Sequence, residues 1–423
     1  MRITFLATNY APSVGGAQLH VQRVAEGLVA RHGHDVSVLT TDAWFSPTIL
    51  EAEPIPVREE LLNGVHVRRL SPARRVHVGL RGARRAARRV HLWEPDGPTL
   101  LSVGPLSARL AVEAGRAGRR SDVVVGVSVP SAMVAGADLG TRGTTAARVV
   151  MPLLHLSTET PRPWALRTMR RADGCTASTA FERDWLVRHG VPSDRLAVLP
   201  PGCDPERYPD LGPRAARASL GLPDGPTIGF VGRFAPNKGL ETLSRAMVRV
   251  WRDHPGVNLL LAGSRAGWAG LDPWLSELRE VAGDRLVLRV GFDEADKPAL
   301  LSACDVIAFP SRDESFGMVI IEAWCARRAV VASDIEAIRC LIEPGVTGDL
   351  VPVGDAGVLA SHLAALLEDP STRTRWGATG RELAESRFSW SHVVDSWDGF
   401  LRDSVERRRV GSLRPARSRW SGR

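Results

Sequence analysis

Four charged residues in the second half of the chain have the types and spacing to handle an anionic, hydroxyl-rich ligand. Arg233 and Lys238 stand on the stretch Gly232-Arg233-Phe234-Ala235-Pro236-Asn237-Lys238-Gly239, which follows an apolar, strand-like run. Loops leaving strands at this edge of an open α/β sheet are where phosphates bind. A guanidinium fork and a mobile ammonium suit a diphosphate whose leaving oxygen gains charge as its bond breaks. Two solvated cations are the plainer alternative. Composition weighs against it, because the chain has two lysines, Lys238 and Lys297, beside a great excess of arginine.

The other two are Glu314 and Glu322, at the ends of Glu314-Ser315-Phe316-Gly317-Met318-Val319-Ile320-Ile321-Glu322. A strand over Asp305–Pro310 should end in a loop carrying Glu314, with a helix starting near Phe316-Gly317. Exposed N–H groups at that helix start can receive phosphate or sugar oxygens. Glu322 then lies about five residues into the helix, a rise of roughly 7–8 Å at 1.5 Å per residue. The carboxylates are too separated to share a proton but can reach different parts of one extended ligand. An acid in so apolar a segment needs a partner, either a sugar diol with two donors or a structural ion pair. A weaker signal precedes them all: Gly15 and Gly16 allow a strand-to-helix turn whose N–H groups converge on an anion, or simply a tight turn.

Elements of regular length must position these residues. Strands are expected at Ile3–Thr8, Val36–Thr40, Val123–Ser128, Arg148–Leu154 and Leu196–Pro200, then at Thr227–Gly232, Leu259–Gly263, Leu286–Gly291, Asp305–Pro310 and Ala329–Ser333. Their continuous rather than alternating apolarity marks strands covered on both faces, as in parallel sheets. Ala17, Val21, Val24, Ala25 and Leu28 fall at helical spacing, as do Leu240, Leu243, Met247, Val250 and Trp251. Strand–helix alternation in two blocks predicts two doubly wound α/β domains. Proline and glycine concentrate at 205–225, which predicts a break there. The expected division is 1–205, 206–387, a helix over 388–404 packing back on the first domain, and a basic, disordered tail over 405–423.

Length and composition agree with two soluble domains: 423 residues, 44% hydrophobic and 24% charged. No apolar run is long enough for a membrane span, and Met1–Tyr10 lacks the features of a signal peptide. The five cysteines are scattered without a CxxC pair, so reduced thiols and a cytoplasmic location are expected rather than disulfides or zinc. The net charge of +8 invites a nucleic-acid reading, but no zinc-finger, RNP-like or helix-turn-helix pattern supports one. Arginines between Arg81 and Arg89 could form a solvated helix face or an electrostatic contact with an anionic membrane.

Taken in order, the motifs resemble the retaining glycosyltransferases of family 4, over nearly the whole chain. The resemblance runs through Gly15-Gly16, Gly33-His34-Asp35-Val36, the strand ending in His155, and Ser178 to Gly202-Cys203-Asp204. It continues through Gly232-Arg233-Phe234, Lys238-Gly239, Gly291-Phe292, Asp305 to Ser311, and the E-x7-E pair. It implies a GT-B fold of two Rossmann-like domains facing across a cleft, the first binding acceptor and the second the nucleotide-sugar donor. By the same resemblance, Arg233 and Lys238 would hold the donor diphosphate, Glu314 the sugar hydroxyls and Glu322 the ribose diol. Ser315, Phe316, Gly317 and Met318 would line the donor, the last three through backbone N–H groups, and His155 would face the sugar. Transfer would retain configuration without a metal or other cofactor, to an acceptor glycan, lipid-linked sugar or small molecule.

Two positions depart from the family pattern. Arg327 stands where a glycine is common, which should alter a turn and add a cation near the donor face, and Cys340 replaces a frequent glutamate. Other readings of the same architecture are a sugar-nucleotide epimerase, a glycoside phosphorylase, or a catalytically impaired nucleotide-sugar-binding protein.

Overall fold

The computed structural model describes residues 1–13, 15–43, 54–72, 107–156, 161, 163–208, 211–265 and 268–413. The arginine-rich stretch from Arg81 to Arg89 lies outside them. The described chain forms two compact units. It passes into the second at Pro200 and leaves it after Val393. The stretch at 205–225, expected as the break, belongs to the second unit. Its helix Pro213–Ser219 is anchored there by Arg217, whose buried guanidinium pairs with Asp305 at 2.9 Å.

In the first unit the strands are β1 (Arg2–Leu6), β2 (Asp35–Thr41), β3 (Glu59–Leu62), β4 (Val65–Leu70), β5 (Val123–Val127), β6 (Ala147–Met151), β7 (Gly174–Ala177) and β8 (Leu196–Val198). They lie in the order β3-β4-β2-β1-β5-β6-β7-β8, parallel throughout except for the β3–β4 pairing. The Asn63-Gly64 turn between β3 and β4 has positive φ at both residues, as a tight hairpin requires. That hairpin and β7 are not among the expected strands, nor is the later strand Asp349–Val351. The first has only one face to bury, and Gly174–Ala177 carries too little apolar mass to stand out.

The second unit contains β9 (Thr227–Val231), β10 (Asn258–Gly263), β11 (Leu286–Val290), β12 (Val306–Phe309), β13 (Ala329–Ser333) and β14 (Asp349–Val351), all parallel in the order β11-β10-β9-β12-β13-β14. Successive residues serve opposite faces. Leu259 and Leu261 join Trp251 and Trp376 on one side of the sheet, while Leu260 and Ala262 join Trp324 and Ile320 on the other. Burial on both faces explains the unbroken apolar runs.

The final helix, Trp390–Leu413, turns Val394, Trp397, Leu401 and Val405 into the first unit. Glycines permit the approach: a Cβ on Gly27 would stand 2.4 Å from Val394, and one on Gly174 2.4 Å from Ser404 Oγ. Arg31 and His34 fix the helix by pairing with Asp395 at 2.7 Å and Asp398 at 2.6 Å. The expected disordered tail does not begin at 405. Val405 is buried, and Arg407 and Arg408 donate to the carbonyls of Asp173 and Thr144, so the helix persists to Leu413. All five cysteines are free thiols, four of them buried. No helix among the described residues is long and apolar enough to cross a membrane.

Candidate functional site

In the second sheet, β9 has β10 on one side and β12 on the other, so the connections diverge between β9 and β12. A crevice at the carboxyl ends of parallel strands at such a switch point is the general ligand position in open α/β sheets. The two loops singled out by sequence leave these two strands.

They are drawn together through the backbone. Gly239 sits at φ 69° with no room for a side chain, since a Cβ would lie 1.9 Å from the Pro310 carbonyl oxygen. The Arg312 N–H donates to the Asn237 carbonyl at 2.8 Å. Lys238 is thereby placed beside the loop after β12, and its Nζ lies 2.5 Å from Glu314 Oε1. Both side chains are largely enclosed, at 13% and 10% exposure, which strengthens the pair over a surface one. Arg233 lies at the start of the same loop, half-buried behind Gly232. A Cβ on Gly263, at the end of β10, would meet the Gly232 carbonyl oxygen at 1.8 Å, so that loop is pinned on its other flank.

Beyond Glu314 the chain turns at Gly317, with φ 102°, into the helix Met318–Cys325. A Cβ at Gly317 would stand 2.7 Å from Ile338, so the close approach and the backbone angle both call for glycine. The Phe316 ring is core, packed edge-on against Phe388, while Ser315 and Met318 are half-exposed. Any ligand contact by Phe316 would therefore come from its backbone.

Glu322 is buried within that helix, and its Oε1 receives the Lys297 ammonium at 2.9 Å. The structural ion pair considered above thus exists, but for one oxygen: Oε2 is buried without a hydrogen-bond partner. Burial raises the Glu322 pKa, with Lys297 opposing. Burial would pull Lys297 down, yet Glu322 and Glu294 hold it above its ordinary value.

His155 is grouped with the second unit, and its Nδ1 lies 3.0 Å from Asp313 Oδ2. That hydrogen bond raises the imidazole pKa against burial, with the charges of Asp313 and Glu314 adding to it. Asp313, Glu314, Lys238 and His155 therefore form one group of ionisable side chains, with Glu322 and Lys297 in the same unit. Sequence reading missed Asp313 and Lys297. The scarcity of lysine that singled out Lys238 applied equally to Lys297, and Asp313 is the immediate neighbour of Glu314.

In the first unit the Gly15-Gly16 turn follows β1 and opens the helix Gly16–His32. β1 lies between β2 and β5, the switch point of that sheet. The atoms nearest a Cβ on Gly15 would be the amide end of Gln18, a side chain able to swing aside. No group of three or more metal-ligating side chains occurs among the described residues.

Residues 14–207 match the model of Glycosyltransferase Family 4, and residues 214–383 that of Glycosyl transferases group 1. The chain belongs to glycosyltransferase family 4. Among curated relatives it is similar to D-inositol 3-phosphate glycosyltransferase of Stackebrandtia nassauensis, 32% identical over 63% of each chain. It is similar also to the enzyme of that description from Nocardia farcinica, 36% identical over 53% of this chain and 51% of the relative. The matches thus span between about half and two thirds of these relatives' length. Among solved structures it resembles sucrose-phosphate synthase from Thermosynechococcus elongatus, with TM-score 0.74 and 22% identity over 95% of this chain and 98% of that one. HepE from Anabaena, solved with UDP and glucose, gives TM-score 0.71 and 21% identity over 95% and 99%. These likenesses establish the GT-B fold.

Against this family background, the two departures lie in different places: Arg327 just past the Met318–Cys325 helix, and Cys340 in the segment whose Ile338 and Leu341 side chains lie beside Gly317. Arg327 has φ 57° just past the Met318–Cys325 helix, and its carbonyl packs where a Cβ on Gly377 would stand 2.2 Å away. It is one helix length, about 12 Å at 1.5 Å per residue, from the Gly317 end. The turn it alters packs against the helix Pro370–Arg387. Cys340 is exposed, its thiol directed to the Glu336 carbonyl at 3.5 Å.

Proposed function

We propose that this glycosyltransferase moves a sugar from a nucleoside diphosphate sugar to an acceptor hydroxyl with retention of configuration. The observation that carries this reading is the Lys238–Glu314 pair at the β9–β12 switch point, a cation and an acid on two converging loops. Arg233 and Lys238 bind the donor diphosphate. Glu314 accepts hydrogen bonds from the sugar hydroxyls, and Lys238, its partner across the two loops, turns to the phosphate. Glu322 offers its unpartnered Oε2 to the ribose diol. The backbone N–H groups around Phe316, Gly317 and Met318 face the sugar and phosphate, Ser315 lines the same turn, and His155, held by Asp313, contacts the sugar.

In the reaction the bond from the anomeric carbon to the phosphate oxygen breaks, and a bond to the acceptor oxygen forms on the same face. The departing phosphate oxygen takes the acceptor's proton. The two cations stabilise the charge that grows on that oxygen, the role a preorganised electrostatic site performs best. No metal is required in this scheme.

The donor reading is supported by HepE, solved with UDP-glucose on the same fold, and makes a UDP-sugar the first choice. Acceptors compatible with the reading are a glycan, a lipid-linked sugar or a small polyol such as the inositol phosphate in the relatives' description. The Gly15-Gly16 turn, at an anion-binding position of the first unit, favours an acceptor or donor carrying phosphate. A thermal-shift panel of nucleotide sugars, then mass spectrometry of acceptor mixtures with the best donor, tests the proposal. A glycosylated acceptor supports it. An isomerised donor, or a sugar phosphate formed only when phosphate is supplied, would replace it with an epimerase or a phosphorylase.

A further inference from the structure

We propose that Lys297 is a positioning residue for nucleotide recognition, clamping one oxygen of Glu322 so that the other is presented, ionised, to a vicinal diol. The inference rests on the donor reading above and adds the residue that makes Glu322 competent. Its basis is geometric. Lys297 Nζ is 2.9 Å from Glu322 Oε1 and 2.6 Å from Glu294 Oε2, so the ammonium is held from two sides. Lys297 begins the short helix Lys297–Ser302 that packs against the Glu322 helix, which fixes where its side chain starts.

The carboxylate has no other compensation of this quality. It is buried, and Oε2 makes no hydrogen bond. Burying a carboxylate without a partner is costly enough that it takes up a proton instead. A protonated Glu322 would be a poor acceptor for two hydroxyl donors. Around it stand Glu294, Arg207, Tyr208, Cys203 and Cys325. Glu294 opposes ionisation and Arg207 favours it. The helix Pro370–Arg387, packed against the other side, turns Arg381 to the Cys325 carbonyl and to Glu385. Lys297 is the cation in direct contact with Glu322.

The clamp also divides the labour between the two lysines. Lys238 must be free to leave Glu314 for a phosphate, and it sits on a loop. Lys297 must stay, and it sits on a helix with two carboxylates gripping it.

The test compares wild-type protein with Lys297→Met, Lys297→Arg and Glu322→Gln in two measurements. Infrared difference spectra report a protonated carboxylic acid directly. Lys297→Met should show a protonated acid at neutral pH that is absent from the wild type and from the Lys297→Met/Glu322→Gln double variant. Calorimetric titration with UDP from about pH 6 to about pH 9 is the second. Lys297→Met should lose about ten-fold in affinity at neutral pH, one pKa unit's worth of free energy, and recover as pH rises. Lys297→Arg should stay near wild type, and Glu322→Gln should be weak at every pH. A Lys297→Met protein with no protonated acid overturns the clamp, as does unchanged, pH-independent UDP affinity. If the acid band appears but UDP binds to none of the proteins, the clamp stands as a carboxylate-positioning device and the nucleotide reading falls.

Discussion

Lys238 Nζ and Glu314 Oε1 lie 2.5 Å apart although 76 residues separate them, and the chain's other lysine, Lys297, lies 2.9 Å from Glu322. Each acid of the E-x7-E pair thus has its own lysine. One pair lies on loops and the other between helices, which gives the two carboxylates different tasks.

The loop pair should be indispensable to turnover. Replacing Lys238 by Ala, or Glu314 by Gln, is expected to lower the transfer rate by about 10²–10³-fold, the typical cost of removing one preorganised charge-stabilising group. Circular dichroism should show an unchanged fold for both. Initial rates near wild type in either folded variant would remove these residues from the site.

Asp313 should govern the protonation of His155. Its hydrogen bond raises the imidazole pKa, so Asp313→Asn should lower the titration midpoint of the His155 ring, as followed by NMR. A raised histidine adds stability fully below the free-imidazole value of about 6.5 and loses that contribution as pH climbs through the folded value. The variant should therefore be less stable than wild type in mild acid and converge with it in alkali. An unmoved midpoint would mean that the contact does not set the charge.

His20 should make the first unit acid-sensitive. It is buried edge-on to Trp397 at 6.2 Å, and burial pulls its pKa down to about 3. The unfolded chain gains a proton near pH 6.5 that the folded chain refuses. Stability should fall with decreasing pH in that window by about 1.4 kcal/mol per unit from this residue. Denaturant unfolding of His20→Leu across the same range should show a slope smaller by that amount. Equal slopes would assign the acid sensitivity to other groups.

Docking of the final helix should depend on Trp397, which is fully buried against Phe5, His20 and Phe400. Trp397→Ala is expected to cost about 3–5 kcal/mol, the usual range for deleting a large core aromatic. Thermal melts measure it, and a loss below about 1 kcal/mol would mean that the helix contributes little to the unit.

The sequence by itself determined both doubly wound sheets, the strand positions to within a residue or two in most cases, and the identity of the charged loops. Those features are local. A parallel strand buried on both faces must be apolar throughout, and a lysine on a strand-to-helix loop is conspicuous in a chain with so few. Only the tertiary structure decided which charge meets which. The close approach of Gly239 to Pro310 puts Lys238 on Glu314, and the packing of two helices puts Lys297 on Glu322. It also decided that the chain beyond 404 stays helical. Pairings across 25 to 158 residues depend on how loops and helices close in space, and spacing along the chain carries no record of that.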